Sequence, residues 1–179
     1  IDILNSSRLY NNRANYIAYI TKMLKYIGIS EEDAALKANR ILKMETTLAT
    51  PRLTKVERRD IRNLNNPMPV SRLSAMTPTV NWKKFIKDSG VKMHLDTVIV
   101  TQPKYMAALN DFFKTTSVED LKTLMTWSTL NGSAGYLTTN LEKERWEFYS
   151  KKLRGQMAMR PADERALGTV NNTVGEAIG

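Results

Sequence analysis

Apolar residues recur at helical spacing along most of the chain. Tyr16, Ile17, Ile20, Met23, Leu24 and Ile27 share one face of a 3.6-residue period, which predicts a helix. The stretch before it, residues 1–12, reads as polar and irregular, with Ser6, Ser7, Asn11 and Asn12 as available caps. Gly28 is placed to end the first helix. Ser30, with Asp33 three residues on, starts a second, and Glu31, Glu32 and Asp33 suit the positive end of its dipole. That helix carries Ala34, Ala35, Ala38, Ile41, Leu42 and Leu48 and should stop before Pro51. Residues 50–68 are the main irregular stretch, and Asn65-Asn66-Pro67 is turn chemistry.

Beyond it the period returns. Pro69 fits a first helical turn, followed by Val70, Leu73 and Met76; Pro78 interrupts. Asn81-Trp82 opens another helix, with Trp82, Phe85 and Ile86 expected to face inward and Ser89-Gly90 closing it. Thr97 to Val100 is a β-branched run and the one clear extended segment. Pro103 opens a helix through Tyr105, Met106, Leu109, Phe112 and Phe113. Ser117 and Asp120 mark a further start, with Leu121, Leu124, Met125 and Ser128 on one face and Trp127 beside them. Asn131-Gly132 and Gly135 weaken that helix. Leu137 to Leu153 is helical and closed by Gly155. Pro161 starts the last helix, through Ala166, Leu167, Val170 and Val174. The pattern predicts an all-α (mainly α) fold of about seven helices with at most one short extended segment. The 179 residues are read as a single domain.

Composition changes this picture little. A chain of this length buries roughly 70% of its extended surface, enough for a core without staples, and it holds no Cys. No apolar run reaches the ~20 residues of a membrane span. The chain opens on Ile1 rather than a start Met, as a processed or excised piece would. The formal charge is +9. One reading is a basic helical module for nucleic acid or another anionic partner; the other is a solvated surface, or a face that meets an acidic part of the same protein. The cations are scattered among acids and no nucleic-acid motif occurs, so no nucleic-acid partner is expected. Arg52, Lys55, Arg58, Arg59 and Arg62 stand against Glu57 and Asp60. They could grip a phosphate or carboxylate, or Arg59 and Asp60 could tie the loop to its neighbours.

Candidate chemistry is sparse. His94 is the single His, so a His-Glu-x-x-His zinc motif is impossible. His94 reads as a loop residue, since no nucleophile elbow accompanies it. No Gly-rich phosphate loop exists. Glu142, Glu144 and Glu147 lie beside Lys or Arg, the pattern of a solvated helix face. The nine Met read as core filler and the three Trp as core anchors. No catalytic, metal or cofactor residue emerges, and no substrate contact can be assigned.

Three blocks carry a resemblance. The first is Val56-Glu57-Arg58-Arg59-Asp60, then Asn65-Asn66-Pro67-Met68 and, after a short helix, Val80-Asn81-Trp82. The second approaches Trp127 through Ser117, Asp120, Leu121, Leu124 and Met125. The third holds Trp146, Phe148, Tyr149, Gly155, Arg160-Pro161, Arg165-Ala166 and Val170-Asn171, and runs to Gly175-Glu-Ala-Ile-Gly179. In this order they resemble the amino-terminal helical region of the neprilysin and endothelin-converting-enzyme family of zinc metallopeptidases, in its bacterial form. Asp163 departs from the pattern, where the family usually has Trp.

The resemblance implies a non-catalytic helical domain of an exported zinc metalloendopeptidase, forming the lid or wall of a chamber that admits short peptides. Zinc and the residues that hold it would belong to a catalytic domain absent from this chain, and that domain would be its partner. The parent protein would act in the periplasm or at the cell surface. Arg58, Arg59, Asp60, Asn66, Pro67, Trp82, Trp127, Phe148, Tyr149, Gly155, Pro161 and Asn171 are then family-signature residues with structural roles. The last helix is expected to run on past Gly179 toward the catalytic domain.

Overall fold

The computed structural model describes residues 7–178, with side chains from Asn11 onward. Ser6 and Gly179, with the expectations attached to them, lie outside the described residues. The fold is mainly α: α1 (Ser7–Tyr26), α2 (Glu31–Ala49), β1 (Pro67–Pro69), α3 (Val70–Met76), α4 (Trp82–Asp88), β2 (Thr97–Ile99), α5 (Pro103–Thr115), α6 (Val118–Ser133), α7 (Thr139–Trp146) and α8 (Ala162–Ile178). The described residues thus hold eight helices, against about seven expected. Two compact units divide the chain: Ile1–Ala38 with Trp127–Gly179, and Asn39–Thr126.

The first unit is built on aromatic rings. Tyr19 of α1 stacks flat on Phe148, with centroids 4.8 Å apart and planes at 6°. Trp127 meets Tyr19 edge-on at 5.5 Å, and Tyr149 does so at 5.7 Å. Offset and edge-to-face contacts of this kind add to the area the rings bury. Ile20, Met23, Leu24, Ala34, Ala38, Leu130, Ala134 and Leu141 complete the core. The polar ends are satisfied inside it. The Tyr19 hydroxyl donates to Asn131 Oδ1 (2.8 Å), Asn131 Nδ2 donates to Tyr149 Oη (3.1 Å), and Trp127 Nε1 donates to Tyr16 Oη (3.3 Å). Burial pushes the Tyr19 phenol well above its ordinary value of 10.0. The nearby Tyr149 and Glu144 push the same way and Arg145 opposes them.

Local chemistry explains the ends of these elements. Gly28, at φ +86°, allows a paired closure of α1: Ile29 N–H donates to Leu24 O (3.3 Å) and Gly28 N–H to Lys25 O (3.0 Å). Ser30 Oγ then caps α2 by accepting from Asp33 N–H. After α7 the chain forms one wider π-turn, Glu147–Lys152. Successive side chains on it diverge less than the ~100° of an α-helix, which lets both Phe148 and Tyr149 reach Tyr19. Gly155, at φ +75°, closes that turn.

In the second unit, Met68, Leu73 and Val100 form a core joined by Met76, Trp82, Val98 and Met106. Thr77, buried, links them: its hydroxyl donates to Leu73 O (2.7 Å) and accepts from Trp82 Nε1 (2.7 Å). Ser117 Oγ caps α6 by accepting from Asp120 N–H (3.1 Å) and donates to Asp120 Oδ2 (2.9 Å), and Asp120 also pairs with Arg40 of α2 at 3.3 Å.

Several expectations are corrected. Residues 7–12 are helical rather than irregular, because no Gly or Pro stops α1 from extending once nucleated. Two strands form rather than at most one. β1 pairs antiparallel with β2 in the register Pro67↔Ile99, Met68↔Val98 and Pro69↔Thr97. The flanking bonds run from Val100 N–H to Asn66 O and from Val70 N–H to Asp96 O, both 2.9 Å. In that phase Pro67 and Pro69 occupy the positions whose N–H would point away from β2, so their missing donors cost the ladder nothing. Phe85 and Met125 face solvent rather than the core, being 57% and 70% exposed, and Trp127 with Leu130 supplies the buried face of α6. Glu142 and Glu144 are not a solvated face. Arg165 of α8 grips Glu142 with two bonds (2.7 and 3.0 Å), and Lys22 of α1 reaches Glu144 at 3.2 Å.

Phe148→Ala should destabilise the protein by about 3–5 kcal/mol in urea titration, whereas Phe113→Ala, at an exposed ring, should change stability by only about 0.5 kcal/mol. Because its folded-state pKa is raised, Tyr19 contributes stability that is fully present below pH 10.0 and lost as pH climbs through the folded-state value. Alkaline denaturation should therefore be blunted in Tyr19→Phe relative to the parent; an unchanged alkaline limb would contradict this.

Candidate functional site

The residues expected to carry the family signature fall into separate places. Trp127, Phe148 and Tyr149 meet in the aromatic core of the first unit. Gly155 supplies the turn after it. The Pro161 carbonyl accepts from Arg165 N–H (3.1 Å) at the start of α8. Asn171 is exposed on α8.

Of the others, Asp60, Asn66, Pro67 and Trp82 sit in the loop, sheet and α4 of the second unit, and Arg58 and Arg59 in its loop. Thr54 and Glu57 cap each other: Glu57 Oε2 accepts from Thr54 N–H (2.7 Å), and Thr54 Oγ1 accepts from Glu57 N–H (3.2 Å). Asn63 Nδ2 donates to Glu57 O, and Asn66 Nδ2 to Asn63 O. Asn66 thereby ties the loop to the first rung of the sheet, and Pro67 follows it in β1. Asp60 takes both Nε and Nη2 of Arg62 (2.9 and 2.8 Å). Arg62, rather than Arg59, is therefore its partner, because the tight turn folds residue 62 back over residue 60. The guanidiniums of Arg58 and Arg59 are exposed and make no hydrogen bond or ion pair with the described residues. The bonds from Thr54 hold the Glu57 carboxyl below its ordinary 4.5, with Lys104 helping, and Arg62 holds Asp60 below 3.8.

Beside this loop lies an open groove of about 490 Å³. It is lined by Trp82 and Phe85 of α4, Val98 and Ile99 of β2, and Tyr105 of α5 with Arg52. The Arg52 guanidinium lies 4.6 Å from the Tyr105 ring centroid and donates Nη2 to the Tyr105 hydroxyl (3.1 Å). Among the described residues, Arg52 is the only charged side chain lining the groove. Gln102 Oε1 accepts from Leu53 N–H (2.9 Å), anchoring the chain that carries Arg52. The sequence pattern places Arg52 in a basic stretch able to grip a carboxylate and Trp82 among the expected signature residues, but joins neither to the rest of this groove. The signal was Thr97–Val100 itself: a β-branched run needs a partner strand, and a two-stranded pair leaves one edge open.

Nothing in this arrangement fits a metal. Among the described residues no three His, Asp or Glu side chains gather, and His94 is an exposed loop residue paired with Asp96 at 2.8 Å. No described helix is long and apolar enough to cross a membrane.

As pH falls, Glu57 and Asp60 should stay ionised below 4.5 and 3.8, and the order they give the loop should be lost only as pH drops through their depressed folded-state values. Carboxyl carbon shifts followed by NMR would show this; midpoints at or above the ordinary values would contradict it.

Comparison with known proteins gives a consistent result. The sequence model described as Peptidase family M13 matches residues 3–179. The chain is 25% identical over 174 residues to an endothelin-converting enzyme homolog of Locusta migratoria, covering 92% of this chain and 24% of that protein. It is 25% identical over 194 residues to neprilysin-3 of Drosophila melanogaster, covering 98% and 25%. The crystal structure of the Mycobacterium tuberculosis zinc metalloprotease ZMP1 in complex with an inhibitor is similar with a TM-score of 0.87 and 26% identity, over 97% of this chain and 27% of that one. The chain thus spans about a quarter of the length of the curated relatives it matches.

Proposed function

We propose, because this chain belongs to peptidase family M13, that it is the non-catalytic helical part of a zinc metalloendopeptidase acting on short peptides. Its work is steric. Packed helices form the lid or wall of a chamber, and hydrolysis takes place on zinc held by a catalytic domain elsewhere in a longer protein. The observation that carries this reading is the likeness in fold, over 97% of the chain, to a zinc metalloprotease. The chain's own residues fit it: packed aromatic and apolar cores of a helical wall. The parent enzyme would be exported and work outside the cytoplasm, as a periplasmic or surface peptidase.

The face of α8 supports the same reading. Leu167, Val170, Val174 and Ile178 recur along one side of the helix and are 43–72% exposed. An apolar stripe of this kind favours being covered, and we take its cover to be the catalytic domain. The side of α8 that carries Arg165 is fixed by Glu142.

Metal analysis and peptidase assays of the purified chain in added zinc test the assignment. We expect no stoichiometric zinc and no hydrolysis of short peptides. One tightly held zinc per chain, or zinc-dependent cleavage, would overturn it.

A further inference from the structure

We propose that the open edge of β2 and the groove beside it bind an extended peptide bearing a carboxylate, which adds to the sheet as a third strand. This goes beyond the role proposed above and does not depend on it, since it concerns a binding site complete within the second unit.

Three observations converge. The first is the edge. The register turns the N–H and C=O groups of Thr97 and Ile99 away from β1, and the sheet has no third strand among the described residues. β2 ends at Ile99, and Thr101, in the bend that follows, makes no backbone hydrogen bond with the described residues. Such an edge is a template for main-chain pairing. No Pro or charged side chain within β2 blunts it, and Ile99 is 63% exposed.

The second is the groove. Trp82, Phe85 and Ile99 present apolar surface along this edge. An added strand would direct alternate side chains into it, so apolar residues at every second position are the ones it selects.

The third is charge. Arg52 is held in place by stacking on Tyr105 and, among the described residues, has no carboxylate partner and is the only charged group lining the groove. A guanidinium fixed before binding loses little freedom when it takes a carboxylate. The unit around it is strongly basic: Asn39–Thr126 holds fifteen Lys and Arg against eight Asp and Glu, which makes +7 of the chain's total +9. That field steers anionic peptides toward the groove. A terminal carboxylate and an acidic side chain offer Arg52 the same chemistry.

Fluorescence anisotropy with labelled hexapeptides of alternating Val and Thr tests the proposal. Saturable binding of the free acid is expected, with about tenfold loss on C-terminal amidation, the scale of one charge-assisted contact. The loss should vanish in Arg52→Gln. An amidated peptide that regains affinity through a terminal Glu assigns the carboxylate to acidic side chains; one that does not assigns it to a chain terminus. N-methylation along the peptide should weaken binding at every second position only, the signature of one edge pairing with β2. This scan needs no change in the protein, so misfolding cannot mimic it. No binding at millimolar peptide, an N-methyl scan without alternation, or equal affinity of acid and both amides would overturn the proposal.

Discussion

The flat stack of Tyr19 on Phe148 is the contact on which the first unit depends. It joins α1, near the start of the chain, to a turn near its end, so forming it closes a long loop. That closure costs conformational entropy which only substantial burial can offset. The rings supply it: Trp127, Tyr149 and Tyr16 pack round the stack, and each polar end finds a partner without leaving the core. The wider turn at Glu147–Lys152 follows from the same requirement, since two adjacent rings must reach one partner. Arg165 and Glu142 then hold α8 onto α7 by a bidentate pair.

The second unit rests on a different constraint. Its sheet is small and its first strand has a proline at each end, so it exists only in the register that turns their missing donors outward. Asn66, at the first rung, couples that register to the loop that follows α2. The same alternation leaves β2 with an edge unpaired among the described residues, and the Arg52–Tyr105 stack lines the groove beside it.

The helices were legible in the sequence wherever periodicity met a local stop or start. Gly28, Ser30, Asn81, Pro103 and Ser117 each act where their chemistry predicts. What escaped reading was set by tertiary contact. Trp127 reads as a neighbour of the apolar face of α6 and is its centre, because the aromatic cluster lies on that side. Glu142 and Glu144 sit among basic residues in sequence, yet their partners come from α8 and α1. β1 was masked by its prolines, whose effect depends on register, and register is fixed by the partner strand. The groove was invisible for the same reason, since α4, β2 and α5 meet only in the folded unit.

Membership of peptidase family M13 gives these features a setting. We read the chain as a shaped helical wall whose chemistry is supplied elsewhere. The most direct measurement is kcat/KM for peptides graded in length, cleaved by the zinc-loaded longer protein of which we take this chain to be part. The account predicts efficient cleavage of short peptides and a steep fall beyond a limiting length. Long unfolded chains cleaved as readily as short peptides would contradict it.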